Sequence, residues 1–150
     1  MEIRRAVPID FLAVAALDRE AWKQGEDAEF IPDGEHVWRL WTEHALVFCA
    51  EVDSEIVGAV VAFPCTGGAY CLHKVFVEAG RRNEGIGSRL FECLLEEIDK
   101  RQVPVFLTVS PGNPAAIALY EKWGFTEREF FKGFYRETED RFVLTRPPRT

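Results

Sequence analysis

Between residues 70 and 110 the hydrophobic pattern changes period twice, and this restricts the fold more than any other feature. "GGAYCLHKVFV" (67–77) is a β-rich run behind a glycine turn. In "RRNEGIGSRLFECLLEEIDKR" (81–101), Ile86, Leu90, Leu94 and Ile98 form one helical stripe, supported by Phe91 and Leu95. "VPVFLTVS" (103–110) is β-rich again. Strand, helix and strand joined by short links predict a parallel pair with a right-handed crossover.

The remaining segments fall around that unit. "EIRRAV" reads as a first strand. Pro8 and Asp10 start a helix through about Trp22, with Leu12, Ala13, Ala16 and Leu17 at helical spacing. Residues 23–32 read as a polar loop, and Asp33 as the cap of a second helix carrying Val37, Trp38, Leu40 and Trp41. Two β-rich runs flank Asp53–Ser54 as a hairpin, and Gly67–Gly68 turns into the next strand. Asn113 and Pro114 open a further helix, as N-cap and first helical residue, and Gly124 ends it. Strands near 125–135 and 141–146 complete the order β-α-α-β-β-β-α-β-α-β-β. This is a mixed α/β fold: about seven strands, mostly antiparallel, flanked by four helices.

A chain of 150 residues, 47% hydrophobic and 29% charged, suits a single domain over 1–150, with a core to 146 and a fraying tail at 147–150. The net charge of −7 argues against a nucleic-acid partner, which needs a basic face. "FLAVAAL" behind Arg4 and Arg5 is too short and too interrupted for a signal peptide, and no run approaches a membrane span. Of the four cysteines, Cys49, Cys71 and Cys93 sit in apolar runs, and with Cys65 they form no metal-ligand spacing. They read as small buried thiols, with no metal, in a reducing cytoplasm.

Gly85 and Gly87 precede the third helix beside Arg81, Arg82 and Arg89. A helix N-terminus offers unpaired amides and partial positive charge, and residues without Cβ let an anion approach the backbone. A phosphate or pyrophosphate is the natural ligand; a tight turn alone also explains the glycines. A Walker loop is excluded by the missing Lys-Ser/Thr, and a dinucleotide fingerprint by Leu90 at its third glycine.

R-x-x-G-x-G after "VFV", followed by "NPAAIALYEKWGF", resembles the GNAT superfamily of acyl-CoA-dependent N-acetyltransferases, and the element order is similar over essentially the whole chain. That resemblance implies a GNAT fold and acetyl-CoA as co-substrate. It implies that Arg82, Asn83, Glu84, Gly85, Ile86, Gly87 and Ser88 hold the pyrophosphate. Val75, Phe76 and Val77 would pair with the pantetheine arm. Asn113 would bond the arm, and Tyr120 would face the sulfur as general acid toward the thiolate. Asn83 stands where glycine is common and Ala79 where proline is common. "VFLTVSPGNPAAIALYEKWGF" and "FYRETEDRFVL" are similar to bacterial ribosomal-protein N-terminal-alanine acetyltransferases, which carry a glutamate where Thr108 stands.

The expected reaction is acetyl transfer to a primary amine: a small amine, an amino acid, an antibiotic or a peptide N-terminus. The alternative is a non-catalytic acyl-CoA sensor on the same fold. His73 is the candidate base, on the strand expected to meet the acetyl group, with a reference pKa of about 6.5 suited to the task. Glu26, Asp27, Glu29, Asp33 and Glu35 read either as a solvated loop or as a lure for a cationic acceptor. A homodimer is compatible with the family.

Overall fold

The computed structural model describes residues 1–23 and 31–149. Its elements are β1 (Glu2–Arg5), a 3-10 turn (Pro8–Asp10), α1 (Phe11–Lys23), α2 (Glu35–His44), β2 (Leu46–Val52), β3 (Glu55–Pro64) and β4 (Tyr70–Val77). A second 3-10 turn (Ala79–Arg81), α3 (Ile86–Arg101), β5 (Val105–Val109), α4 (Pro114–Lys122), β6 (Glu127–Phe131) and β7 (Arg141–Arg146) follow. The strands form one mixed sheet in the order β1-β2-β3-β4-β5-β7-β6. The element order read from the sequence is the one observed. The chain divides into two compact units: Met1–Phe63 with His73–Glu97, and Pro64–Leu72 with Ile98–Thr150.

In the first unit β1, β2 and β3 are antiparallel neighbours, with Arg4 opposite Cys49 and Cys49 opposite Ala59. The β2–β3 turn places Asp53 at φ 50° and Ser54 at φ 65°. Two successive left-handed residues give the turn a twist that matches the flanking strands. "VGAVVA" (57–62) is buried throughout, without the alternation of a half-exposed strand. Ala59 and Val61 pack with Val14, Ala15 and Trp38, while Gly58 lies under Ile86 and Leu90 of α3. A Cβ on Gly58 would stand 3.2 Å from Leu90 Cδ1 and 3.2 Å from the Phe76 carbonyl oxygen, so this glycine sets how closely α3 lies on the strand.

Two local expectations are corrected here. On α1 the buried residues are Val14, Ala15 and Asp18, whereas Ala13 and Ala16 are exposed and Leu12 is 52% exposed. Residues 11–17 are apolar almost all the way round, so periodicity alone selects no face. At α2 the N-cap is Gly34, with no side-chain cap, because the Asp33 carboxylate is engaged elsewhere. Of the loop read over 23–32, residues 24–30, including Glu26, Asp27 and Glu29, lie outside the described residues.

The second unit begins with the expected glycine turn, closed by Cys65 N–H donating to Ala69 O at 2.8 Å. β4 and β5 pair in parallel at Tyr70↔Val105 and Cys71↔Phe106, and β5–β7 and β7–β6 are antiparallel. Asn113 caps α4, its side-chain oxygen accepting from the Ala116 amide at 3.2 Å, and Gly124 ends it at φ +97°. The buried Arg146 donates to Trp123 O at 2.9 Å and pairs with Asp99. All four cysteines are free; Cys49 is fully buried, but Cys71 and Cys93 are only half-buried. Burial pushes the Cys49 thiol up to about 11 and the Cys71 thiol up to about 12, which keeps both protonated near neutrality.

Replacing Gly58 with valine is expected to lower the unfolding free energy by about 1–3 kcal/mol, the usual cost of overpacking a filled core. Urea denaturation followed by tryptophan fluorescence measures it; unchanged stability would mean that α3 yields easily.

Candidate active site

β4 ends where the Glu78 amide donates to Val57 O at 2.8 Å. One 3-10 turn follows, and the chain then takes left-handed conformations at Asn83 (φ 70°) and Gly85 (φ 79°) before α3 begins. Asparagine tolerates that region better than other non-glycine residues, which accounts for its place at 83. Ile86 is 3% exposed and pins the start of α3 into the core. The first bond of the helix runs from the Arg89 amide to Gly85 O at 3.1 Å, so the amides of Ile86, Gly87 and Ser88 have no acceptor within the helix. Asn83, Glu84, Gly85 and Ser88 are exposed around them.

The two glycines differ in cause. Gly85 is required by its positive φ. Gly87 is not: a Cβ there would meet only Val77 Cγ2, at an ordinary 3.8 Å. The turn therefore explains Gly85 and leaves Gly87 unexplained.

Gly87 lines a pocket of about 500 Å³. Val75, Phe76 and Val77 form its wall along β4, and Arg82 stands at the loop end. Five of the predicted cofactor residues are thus on one cavity. Its remaining wall is Asp18, Ala21 and Trp22 of α1 with Lys74 of β4. The Trp22 indole N–H is buried and has no hydrogen-bond partner among the described residues.

A charged cluster adjoins this pocket. Asp18 has 6% of its side chain exposed and accepts from the Trp38 indole at 3.1 Å and from the Asp33 amide at 2.9 Å. The Lys74 ammonium reaches both Asp18 oxygens at 3.1 Å and Asp33 Oδ2 at 2.7 Å. His73 Nε2 lies 2.9 Å from the same Asp33 oxygen, and its ring packs on Trp41 and Phe63. Burial acts to raise the Asp33 pKa, but hydrogen bonds from His73 and Lys74 outweigh it and hold the carboxyl below the usual carboxylate range. His73 does not line the pocket, whereas Lys74 and Asp18 do. Sequence reading missed Asp18 and Lys74. The signal was present in both: a carboxylate on the buried side of an apolar helix, and a lysine inside an apolar strand.

Asn113 and Tyr120 belong to the second unit. Asn113 uses its oxygen in the cap, which leaves its amide donors to other partners. Tyr120 is half-buried on α4, edge-on to Phe125 with ring centres 6.1 Å apart, and burial pushes its phenol up. Thr108 shares a hydrogen bond of 2.7 Å with the Tyr135 hydroxyl, and the Tyr135 ring lies 5.1 Å from the Arg141 guanidinium carbon. Among the described residues, no cluster of histidine, cysteine, aspartate and glutamate is arranged to hold a metal, and no helix is long and apolar enough to cross a membrane.

A left-handed loop thus feeds a helix N-terminus beside a strand that walls a pocket. The family model for the GNAT acetyltransferase family matches residues 11–125, and the chain belongs to that family. Over 80 residues it is 38% identical to the [ribosomal protein bS18]-alanine N-acetyltransferase of Escherichia coli K12, covering 51% of this chain and 54% of that protein. The chain thus spans about half the length of the curated relatives it matches. A ribosomal-protein-alanine N-acetyltransferase from Brucella melitensis superposes with a TM-score of 0.76 at 26% identity, over 97% of this chain and 98% of that one. The ribosomal-protein-S18-alanine N-acetyltransferase of Escherichia coli gives 0.80 at 24% identity, over 99% and 94%, a likeness of fold.

The contrast between the glycines is measurable. Gly85→Ala is expected to cost about 1–2 kcal/mol of stability from its left-handed backbone, and Gly87→Ala to leave the melting temperature unchanged. Thermal unfolding of both variants checks this; equal losses would return Gly87 to a purely structural role.

Proposed function

We propose that this protein is an acetyl-CoA-dependent N-acetyltransferase acting on a primary amine, and that residues 1–150 work as one catalytic domain in the cytoplasm. Nucleic acid and membrane are not among its partners. One observation carries the reading: Gly87, which the backbone does not require, lies on the pocket walled by 75–77 and Arg82. The absence of a side chain there leaves room for a pyrophosphate to reach the amides of Ile86, Gly87 and Ser88. Arg82, on the same pocket, adds local positive charge to a chain whose net charge is −7. The pantetheine arm then lies along Val75, Phe76 and Val77.

Transfer requires a neutral amine, a stabilised oxyanion and a departing thiolate. An amine with a pKa near 10.4 is neutral in only about one molecule in 2,500 at pH 7. A main-chain N–H of the 75–77 strand serves the oxyanion, a donor worth roughly 3 kcal/mol in such sites. Tyr120 serves the thiolate. Burial keeps its phenol protonated, so it remains a donor at neutral pH. Complete transfer to a thiolate of pKa near 8.5 is uphill by about 2 kcal/mol or more, but a hydrogen bond that strengthens as charge develops needs no complete transfer. Asn113 gives its amide donors to the arm. The acceptor class is drawn from the relatives: an N-terminal alanine is the first amine to test.

Calorimetric titration with acetyl-CoA, with NAD and ATP as controls, tests the binding half. Acetyl-CoA is expected to bind alone, and Gly87→Glu to abolish binding by setting a carboxylate against the phosphates. Tyr120→Phe is expected to lower kcat by about 10²-fold or more with little change in the acetyl-CoA KM; an equal kcat removes Tyr120 from the reaction. Binding without turnover of any amine would favour a sensor of acyl-CoA.

A further inference from the structure

We infer that His73 and Asp33 form the proton-accepting dyad of this site, with His73 Nδ1 taking a proton from the acceptor ammonium and Asp33 holding the ring. The inference rests on the transferase reading above. The amine proton needs an acceptor, and His73 with Asp33 supplies a hydrogen-bonded imidazole–carboxylate pair beside the pocket-lining Lys74.

The dyad stands at the right end of β4. An arm with its pyrophosphate at 82–88 runs back along Val77 and Val75, so its thioester end points toward the start of the strand. His73 is four residues before Val77, about 13 Å along an extended chain. The pocket's β4 wall begins at Lys74, so His73, which does not line it, stands one residue beyond that end.

The hydrogen bond also fixes which nitrogen is the base. His73 Nε2 lies 2.9 Å from Asp33 Oδ2, and an ionised carboxylate only accepts hydrogen bonds. In the neutral ring the proton is therefore on Nε2 and the lone pair on Nδ1. Protonation at Nδ1 makes an imidazolium whose charge faces Asp33. Lys74, at 2.7 Å from the same oxygen, offsets part of that carboxylate's charge and is itself anchored on Asp18. Asp33 is the charged group bonded to the ring, with Lys74 on the same carboxylate oxygen; the ring's other packed neighbours, Trp41 of α2 and Phe63 of β3, are uncharged. Asp33, Lys74 and Asp18 are positioning residues.

The step balances. The acceptor ammonium gives one proton to His73 Nδ1, and the neutral amine attacks the thioester carbonyl carbon. The carbon–sulfur bond breaks with the Tyr120 hydroxyl hydrogen-bonded to the departing thiolate, which then takes the second proton, lost by the new amide nitrogen, to become the thiol, and His73 returns its own proton to water. The sum is ammonium plus acetyl-CoA going to amide, free coenzyme A thiol and one proton.

The test uses the full chain, acetyl-CoA, and a panel of a hexapeptide with a free N-terminal alanine, alanine amide and 1,3-diaminopropane. His73→Gln keeps a side-chain donor toward Asp33. It is expected to lower kcat by about 10²-fold or more, to keep the acetyl-CoA Kd within twofold, and to abolish the acid limb of the kcat–pH profile. Asp33→Asn is expected to lower kcat because the ring loses its fixed acceptor, and Asp33→Glu to restore part of it. Independently of turnover, nitrogen NMR of the wild-type histidines should show a ring protonated on Nε2 in its neutral form, lost as a fixed tautomer in Asp33→Asn. A His73→Gln protein with wild-type kcat and an intact acid limb, or a neutral ring protonated on Nδ1, overturns the dyad while the transferase stands. Failure of the wild type to bind acetyl-CoA or to acetylate any amine overturns the transferase reading, and the dyad with it.

Discussion

The first unit is organised around the buried carboxylate of Asp18. Asp18 sits on the apolar side of α1 with almost no exposure. A carboxylate in that position is costly unless its charge and lone pairs are met. They are met by the Trp38 indole, the Asp33 amide and the Lys74 ammonium, which come from α2, from the segment before it, and from β4. Each bond removes a freedom. The indole fixes how α2 lies against α1. The amide fixes the chain entering α2. The ammonium fixes α1 against the strand that walls the pocket.

The same carboxylate explains two departures from simple rules. α1 buries Val14 and Ala15 and exposes Leu12, because the rotation that brings Asp18 to its partners turns Leu12 outward. Burying one more leucine contributes about 2 kcal/mol, less than the cost of an unpaired buried charge. Asp33 does not cap α2, because its carboxylate is shared between Lys74 and His73. A cap in water contributes about 1 kcal/mol, and charge-assisted bonds in a half-buried site outweigh it.

The loop between β4 and α3 follows a different logic, since its parts are local. Left-handed residues at 83 and 85, a buried Ile86 and the open amides after it all lie within a short stretch of chain. Their residue types report their conformations directly: asparagine and glycine for positive φ, isoleucine for the core. Such a loop is legible in the residues themselves. The strand–helix–strand unit is legible for the same reason, as are the Asp53–Ser54 turn and the Asn113 cap, where one or two residues carry the whole signal.

The sequence by itself determined the order of elements, the sheet's parallel crossover, the glycine-bearing turn into α3 and the likeness to the GNAT family, because each is encoded by near neighbours in the chain. Only the tertiary structure decided which face of α1 is buried and that His73 and Lys74 share Asp33. Those depend on residues 40 and 56 positions apart, Asp33 with His73 and Asp18 with Lys74. No local period records such a pairing. It arises when packing removes water from charged groups and leaves them only one another as partners.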